Sequence, residues 1–161
     1  MKKETAYVVK QECIASDIYS MTLRVSFAAE VRPGQFLSVY SGDGARLLPR
    51  PISICDVDKE EGTVRLVYRI AGKGTAEFSG LVPGCGVEVL GPLGKGFPVE
   101  EFREKRVLLV GGGIGIPPLY YTAKSLRNPV FAVGYRSETY LLPDISGLFE
   151  THIATEDGSL G

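Results

Sequence analysis

The sequence predicts a β + α/β fold: a six-stranded antiparallel barrel of Greek-key type, followed by an incomplete parallel α/β unit. Three observations carry that expectation. Short alternating apolar segments separated by turn residues fill residues 5–98. The period then changes around Gly91-Pro92-Leu93-Gly94-Lys95-Gly96, where alternation gives way to a charged stretch from Glu100 to Arg106. The apolar run Val107-Leu108-Leu109-Val110 next enters Gly111-Gly112-Gly113-Ile114-Gly115-Ile116-Pro117-Pro118. That reads as a buried strand, a glycine-rich turn and a proline-started helix.

Six strands are expected, over Thr5 to Cys13, Ser20 to Phe27, Gln35 to Tyr40, Pro51 to Val57, Thr63 to Ile70 and Gly86 to Leu90. The turns include Arg32-Pro33-Gly34, Gly42-Asp43-Gly44, Lys59-Glu60-Glu61-Gly62 and Val82-Pro83-Gly84, residue types that preset φ or tolerate its positive range. Short strands at this spacing point to a small closed barrel. A short helix is placed over Thr75 to Gly80, after the Gly72-Lys73-Gly74 break, with Thr75 as its cap.

The boundary falls near residues 98–104, giving expected domains of 1–98 and 104–161. In the second, a strand over Val107 to Val110 is followed by a helix from Pro117 or Pro118 to Leu126, which Asn128-Pro129 breaks. Val130 to Val133 completes one right-handed βαβ unit. A further strand near Thr151 to Ala154 follows a weakly patterned connector, Glu138 to Phe149. Three strands are fewer than a doubly wound sheet needs to be covered on both faces.

Composition excludes several classes. The 161 residues are 44% hydrophobic and 23% charged, with a net charge of −1. That balance is ordinary for a globular protein, and it gives no electrostatic reason to expect nucleic acid or an anionic membrane as a partner. No apolar stretch approaches the roughly 20 residues of a membrane span. The charged start Met1-Lys2-Lys3-Glu4-Thr5 leads into a strand rather than an apolar leader, so a cytoplasmic location is expected. Cys13, Cys55 and Cys85 are scattered and form no Cys-x-x-Cys pair. They argue against a disulfide framework and against a self-contained zinc or iron–sulfur site, and no metal site is expected.

Three segments carry the chemistry. In the 111–115 turn, glycines allow backbone N–H groups to approach a pyrophosphate, and the following helix start favours negative charge. The spacing is not G-x-G-x-x-G, and glycine turns behind strands also serve packing alone. Arg50-Pro51-Ile52-Ser53 offers a fork donor for a cofactor phosphate and a hydroxyl for a ring edge, against the plainer reading of a surface charge and a solvated serine. Tyr68-Arg69 with Gly72-Lys73-Gly74-Thr75 offers backbone N–H groups and a helix start to the same phosphate.

The order Arg50-Pro51-Ile52-Ser53-Ile54, then Tyr68 to Thr75, then Leu90-Gly91-Pro92-Leu93-Gly94, then Gly111 to Leu119 resembles that of the ferredoxin-reductase-like flavoproteins. It is most similar to the electron-transfer subunits of NAD-dependent dihydroorotate dehydrogenases, over essentially the whole chain to Gly161. The resemblance implies that the barrel binds FAD, through Arg50, Pro51, Ile52 and Ser53, through Val67, Tyr68 and Arg69, and through Gly74 and Thr75. It implies that Gly111, Gly112, Gly113 and Gly115 floor a site for NAD(H), the substrate. It also implies a catalytic dihydroorotate dehydrogenase subunit as partner, in pyrimidine biosynthesis. No side chain need act as acid or base, because the flavin does the chemistry.

Two departures stand out. Ile52 occupies a position where many reductases of the wider superfamily carry an aromatic, so no ring stacks on a flavin from there. The family's electron-transfer subunits also continue for about another 100 residues, a domain-scale length, which hold a cysteine cluster for a [2Fe–2S] centre. If this chain is the whole protein, it is expected to bind no such cluster and to lack the family's onward route.

The remaining residues receive plainer readings. His152 is isolated, Glu156-Asp157 reads as a solvated loop, and Tyr120-Tyr121 reads as packing. Arg136, in Gly134-Tyr135-Arg136-Ser137, suits a 2′-phosphate, whereas the resemblance implies NAD. Two rivals stay open: a subunit of a related sulfide, sulfite or ferredoxin:NADP reductase, and a truncated, non-catalytic flavin-binding or assembly module.

Overall fold

The computed structural model describes residues 1–42 and 48–161. Strands β1 (Lys2–Ala15), β2 (Ile18–Arg24), β3 (Phe36–Val39), β4 (Arg50–Asp58), β5 (Thr63–Arg69) and β6 (Gly86–Leu93) form a closed barrel in the order β1-β2-β5-β4-β3-β6. Every pairing is antiparallel, and β6 returning beside β3 makes the Greek key. Alternation sends Leu23, Leu37, Ile54, Leu66 and Val89 inward, where all are at most 1% exposed. Helix α1 (Lys73–Ser79) adds Phe78 to this core, edge-on to Tyr68 at 6.2 Å.

Beyond the barrel, α2 (Val99–Phe102) leads to β7 (Arg106–Gly112), α3 (Pro117–Lys124), β8 (Asn128–Tyr135), α4 (Leu142–Ser146) and β9 (Glu150–Thr155). The three strands form one parallel sheet in the order β7-β8-β9. Pro129, expected to precede its strand, lies inside β8 opposite Val107. It is the strand's second residue, next to the strand start where a missing N–H is tolerated.

Several boundaries differ from expectation for local reasons. β1 is longer than predicted because it pairs with both β2 and β6, and irregular pairing between Val8 and Lys10 and between Cys13 and Ala15 blurs its alternation. β2 ends at Arg24, and a 3₁₀ turn over Ala28–Glu30 follows Phe27. α1 begins at Lys73, so Thr75 is its third residue and not its cap. Thr75 still shapes the helix start: its Oγ1 accepts from the N–H groups of Ala71 at 2.9 Å and Gly72 at 3.2 Å. Of the predicted turn Gly42-Asp43-Gly44, Asp43 and Gly44 lie outside the described residues.

A second core joins the two parts. Ile116 and Phe131 are fully buried there with Cys55 and Val67 of the barrel. Polar contacts flank it: Lys124 Nζ to Asp56 Oδ1 at 2.8 Å, Arg65 Nη1 to Asp144 Oδ1 at 3.5 Å, and the Tyr121 hydroxyl donating to Val31 O at 3.3 Å. Tyr120 and Tyr121 are both buried packing residues. On the other face of β7, Leu108 and Val110 are 60% and 70% exposed. None of the helices among the described residues is long and apolar enough to cross a membrane.

Two outcomes follow. Burial pushes the Cys55 thiol from an ordinary 9.0 to about 12. The unfolded chain therefore releases this proton well before the native one does, so the contribution is complete below pH 9.0 and is lost as pH rises towards about 12. Urea unfolding should show stability falling through that window, and falling less in Cys55→Val. Gly91 of β6 is buried, and a Cβ there would stand 2.2 Å from Leu37 Cδ2. Gly91→Ala should lower unfolding stability by roughly 1–3 kcal/mol through overpacking.

Candidate functional site

Two polar features flank β5. The first lies on the barrel rim. β4 pairs with β3 in the register Val39↔Arg50 and Leu37↔Ile52, and period-2 alternation puts Arg50 in phase with the buried Ile52 and Ile54. Arg50 stands at the strand's end, where that phase carries its guanidinium over the start of α1. A Cβ on Gly74 would fall 2.7 Å from Arg50 Nε and 2.9 Å from Cζ and Nη2. Only a glycine lets the arginine lie against this backbone. Arg50 Nη1 also donates to Leu48 O. The rim thus sets a guanidinium beside a helix start, an arrangement suited to an anion.

The neighbouring predicted residues divide. Pro51 is exposed and Ser53 half-buried on β4, while Ile52 packs in the barrel core. Val67 is buried in the junction core. Tyr68 points inward, stacks on Tyr19 at 5.9 Å and accepts a 2.8 Å hydrogen bond from Gln11 Nε2. Burial raises its pKa to about 12, so it stays a neutral phenol. The side chains of Val67 and Tyr68 are therefore committed to packing.

The second feature is a cleft of about 750 Å³ between the barrel and the α/β sheet. Its floor is the carboxyl ends of β7, β8 and β9, at Gly112-Gly113, Gly134 to Glu138 and Ala154 to Glu156. The β1–β2 turn and Arg69 form the opposite wall. Ligands of open parallel sheets bind outside the carboxyl ends of the strands. The Ser16 N–H donates to Glu138 Oε2 at 2.9 Å across one side, which holds that carboxyl below its usual range.

The four predicted glycines have different positions. A Cβ on Gly111 would meet Leu119 Cδ1 at 2.8 Å, so this residue lets α3 close onto β7. Gly113 turns the chain with φ +51°. Gly112 and Gly115 adjoin open space, and only Gly112 and Gly113 line the cleft. The structure thus groups Arg50, Gly74 and Thr75 on the rim and Arg69, Gly112 and Gly113 in the cleft. Sequence reasoning missed Tyr140, Glu138 and the Ser16-Asp17 turn, all on the cleft wall; none belongs to a motif. Arg136 ends in the cleft as well, 3.6 Å from Glu156. Among the described residues no group of three or more His, Cys, Asp or Glu is arranged to hold a metal.

Comparison with known proteins gives this geometry a context. The model of the oxidoreductase FAD-binding domain family matches residues 5–97. The dihydroorotate dehydrogenase B (NAD(+)) electron transfer subunit of Listeria monocytogenes serotype 4b (strain F2365) is 42% identical over 96% of this chain and 63% of its own length. That of Geobacillus kaustophilus (strain HTA426) is 42% identical over 99% and 65%. The chain therefore spans less than two thirds of these relatives. Among solved structures, a chain of an NADH-dependent reduced ferredoxin-NADP oxidoreductase superposes with a TM-score of 0.85 and 32% identity, over 98% of this chain and 59% of that one. Phthalate dioxygenase reductase shares the fold, with a TM-score of 0.74 and 24% identity over 98% and 53%.

The rim fits the group that this family's description names. FAD carries a diphosphate, and Arg50 over the side-chain-free Gly74 forms a cradle that a single Cβ would fill. Gly74→Ala tests the fit. Alanine inside a helix gains up to about 1 kcal/mol over glycine, and the atoms it meets end a flexible side chain. The variant should melt no lower than the parent, yet retain less flavin on purification.

Proposed function

The chain belongs to the family of oxidoreductase FAD-binding domains, and from that premise we propose that it is a flavin-carrying electron-transfer subunit. It moves electrons between NAD(H) and a catalytic dihydroorotate dehydrogenase subunit in pyrimidine biosynthesis. The observation that carries this reading is the pair of sites flanking β5: the Arg50–Gly74 cradle on the rim and the glycine-floored cleft on the carboxyl side of β7 to β9. Residues 1–98 form the flavin-binding unit and residues 104–161 the nucleotide-binding unit.

FAD held on the rim would supply the hydride-accepting and electron-carrying chemistry. The chain's residues position the reactants. Arg50 and the α1 amides bind the diphosphate, with Thr75 holding the turn in shape. Ser53 presents its hydroxyl to the ring edge, and Pro51 and Ile52 hold that strand end in place. The backbone of Val67 to Arg69 lines the same side, because the side chains of Val67 and Tyr68 are buried. Gly112 and Gly113 admit the dinucleotide to the cleft floor, and Gly111 and Gly115 let the turn and α3 take up the required path.

A second reading, a subunit of a related reductase, draws support from the 32% identity to the ferredoxin-NADP oxidoreductase chain. Reconstitution separates the two. Mixed with a catalytic dihydroorotate dehydrogenase subunit, the flavin-loaded chain should bind it and co-elute with it; failure to bind that partner alongside binding to ferredoxin would favour the second reading.

The first test is a visible spectrum of the purified chain, with the released chromophore identified by chromatography. FAD is expected, bleached by NADH under anaerobic conditions. Arg50→Ala should weaken FAD binding about tenfold or more, the scale of one charge-assisted hydrogen bond. Unchanged flavin content in that variant would remove Arg50 from the site.

A further inference from the structure

The connector between β8 and α4 carries an arrangement that no motif announces. Tyr140 is 5% exposed, and among the described residues its hydroxyl is buried without a hydrogen-bond partner at normal geometry. Buried polar groups are normally satisfied, and the polar group that reaches towards this hydroxyl is the Arg69 guanidinium. The residue is also held firmly. The Tyr135 hydroxyl donates to Tyr140 O at 2.7 Å, and the two rings meet edge to face at 5.3 Å. Leu141, the next residue, is at φ +59°, a left-handed conformation that a bulky side chain adopts only when its surroundings impose it.

The hydroxyl faces the glycine turn. A Cβ on Gly113 would lie 4.0 Å from Tyr140 Oη and 4.0 Å from Arg69 Nη2. Arg69, the last residue of β5, thus brings its guanidinium beside the phenol and over the cleft floor. Among the described residues it has no ion-pair partner. Burial raises the Tyr140 pKa while Arg69 pulls against it, and the net rise keeps the phenol neutral beside the cation. A cation without a counter-ion, a neutral hydroxyl behind it and a side-chain-free turn beneath leave room for an oxyanion.

We propose that Arg69 binds a phosphate oxygen of the pyridine dinucleotide in the cleft, and that Tyr140 is its positioning residue, the hydroxyl accepting a hydrogen bond from the guanidinium. This assigns the Arg69 side chain to the nucleotide and not to the flavin, and it rests on the reading of the cleft given above. The Arg69 backbone remains on the flavin side of β5, so one residue serves both neighbours through different atoms.

The test is calorimetric titration of the flavin-loaded protein with ADP-ribose, which carries the diphosphate but no redox chemistry. Arg69→Gln should weaken binding about tenfold or more, Arg69→Lys less, and Tyr140→Phe about threefold, on the scale of charge-assisted hydrogen bonds. Because Tyr140 acts through Arg69, the double variant Arg69→Gln/Tyr140→Phe should bind no worse than Arg69→Gln. A merely structural tyrosine would instead add its loss in the double variant, and that result overturns its role. Arg69→Gln that binds ADP-ribose as the parent does but has lost flavin overturns the proposal alone and returns the side chain to the rim. A flavin-loaded parent that binds no ADP-ribose overturns the nucleotide reading of the cleft, and this proposal with it.

Discussion

The cleft depends on where helix α3 lies, and that is fixed by close approach on two sides. Gly111 has no side chain, so Leu119 and Ile116 press directly onto β7. On its other flank the helix rests against β4, at the irregular pairing between Ile54 and Asp56 that turns Cys55 into the junction. Burying residues such as Ile116, Phe131 and Ile145 contributes roughly 1.5–3 kcal/mol each. The Lys124–Asp56 pair, 38% and 22% exposed, adds at most about 1 kcal/mol. Apolar packing therefore sets the position. The cleft is the space left on the carboxyl side of the sheet once α3 is seated.

Much of this was legible in the sequence where a local rule and the fold agree. The barrel strands announced themselves because turn residues bound them and the barrel gives each an inside and an outside. β7, its glycine turn and α3 were legible because the strand reads as an unbroken apolar run that ends in glycines, although Leu108 and Val110 lie 60% and 70% exposed on its open face. α2 and α4 were not, since helices of 4 and 5 residues are too short to display a period. Thr75 shows how a correct residue can carry the wrong label. Its hydroxyl does organise the helix start, but by reaching back from the third position, where a hydroxyl and a backbone N–H meet as well as they do at a cap.

The glycine turn was legible as a unit and illegible in its parts. Its glycines look alike in sequence, yet Gly111 serves packing, Gly113 serves a positive φ, and Gly112 and Gly115 border open space. These distinctions arise from what stands opposite each residue. Tyr140 lay further out of reach. Its significance comes from the left-handed Leu141 beside it and from an arginine on a different domain-scale unit.

The division of labour between the two sites follows from the geometry of β5. Successive side chains of a strand point to opposite faces, so Leu66 and Tyr68 enter the barrel while Val67 and Arg69 face the α/β unit. A motif of consecutive residues, Tyr68-Arg69, cannot then deliver both side chains to one ligand. What the residues do share along one edge is backbone. A ligand on the rim is thus met mainly through main-chain groups of β5, and a ligand in the cleft through the side chain at its end. A single strand can stand between two bound molecules and touch each with a different part of the same residues. Hydride transfer needs its reacting atoms about 3–3.5 Å apart, so β5 can separate only the phosphate-bearing parts of the two ligands, and their reactive rings have to meet beyond its end.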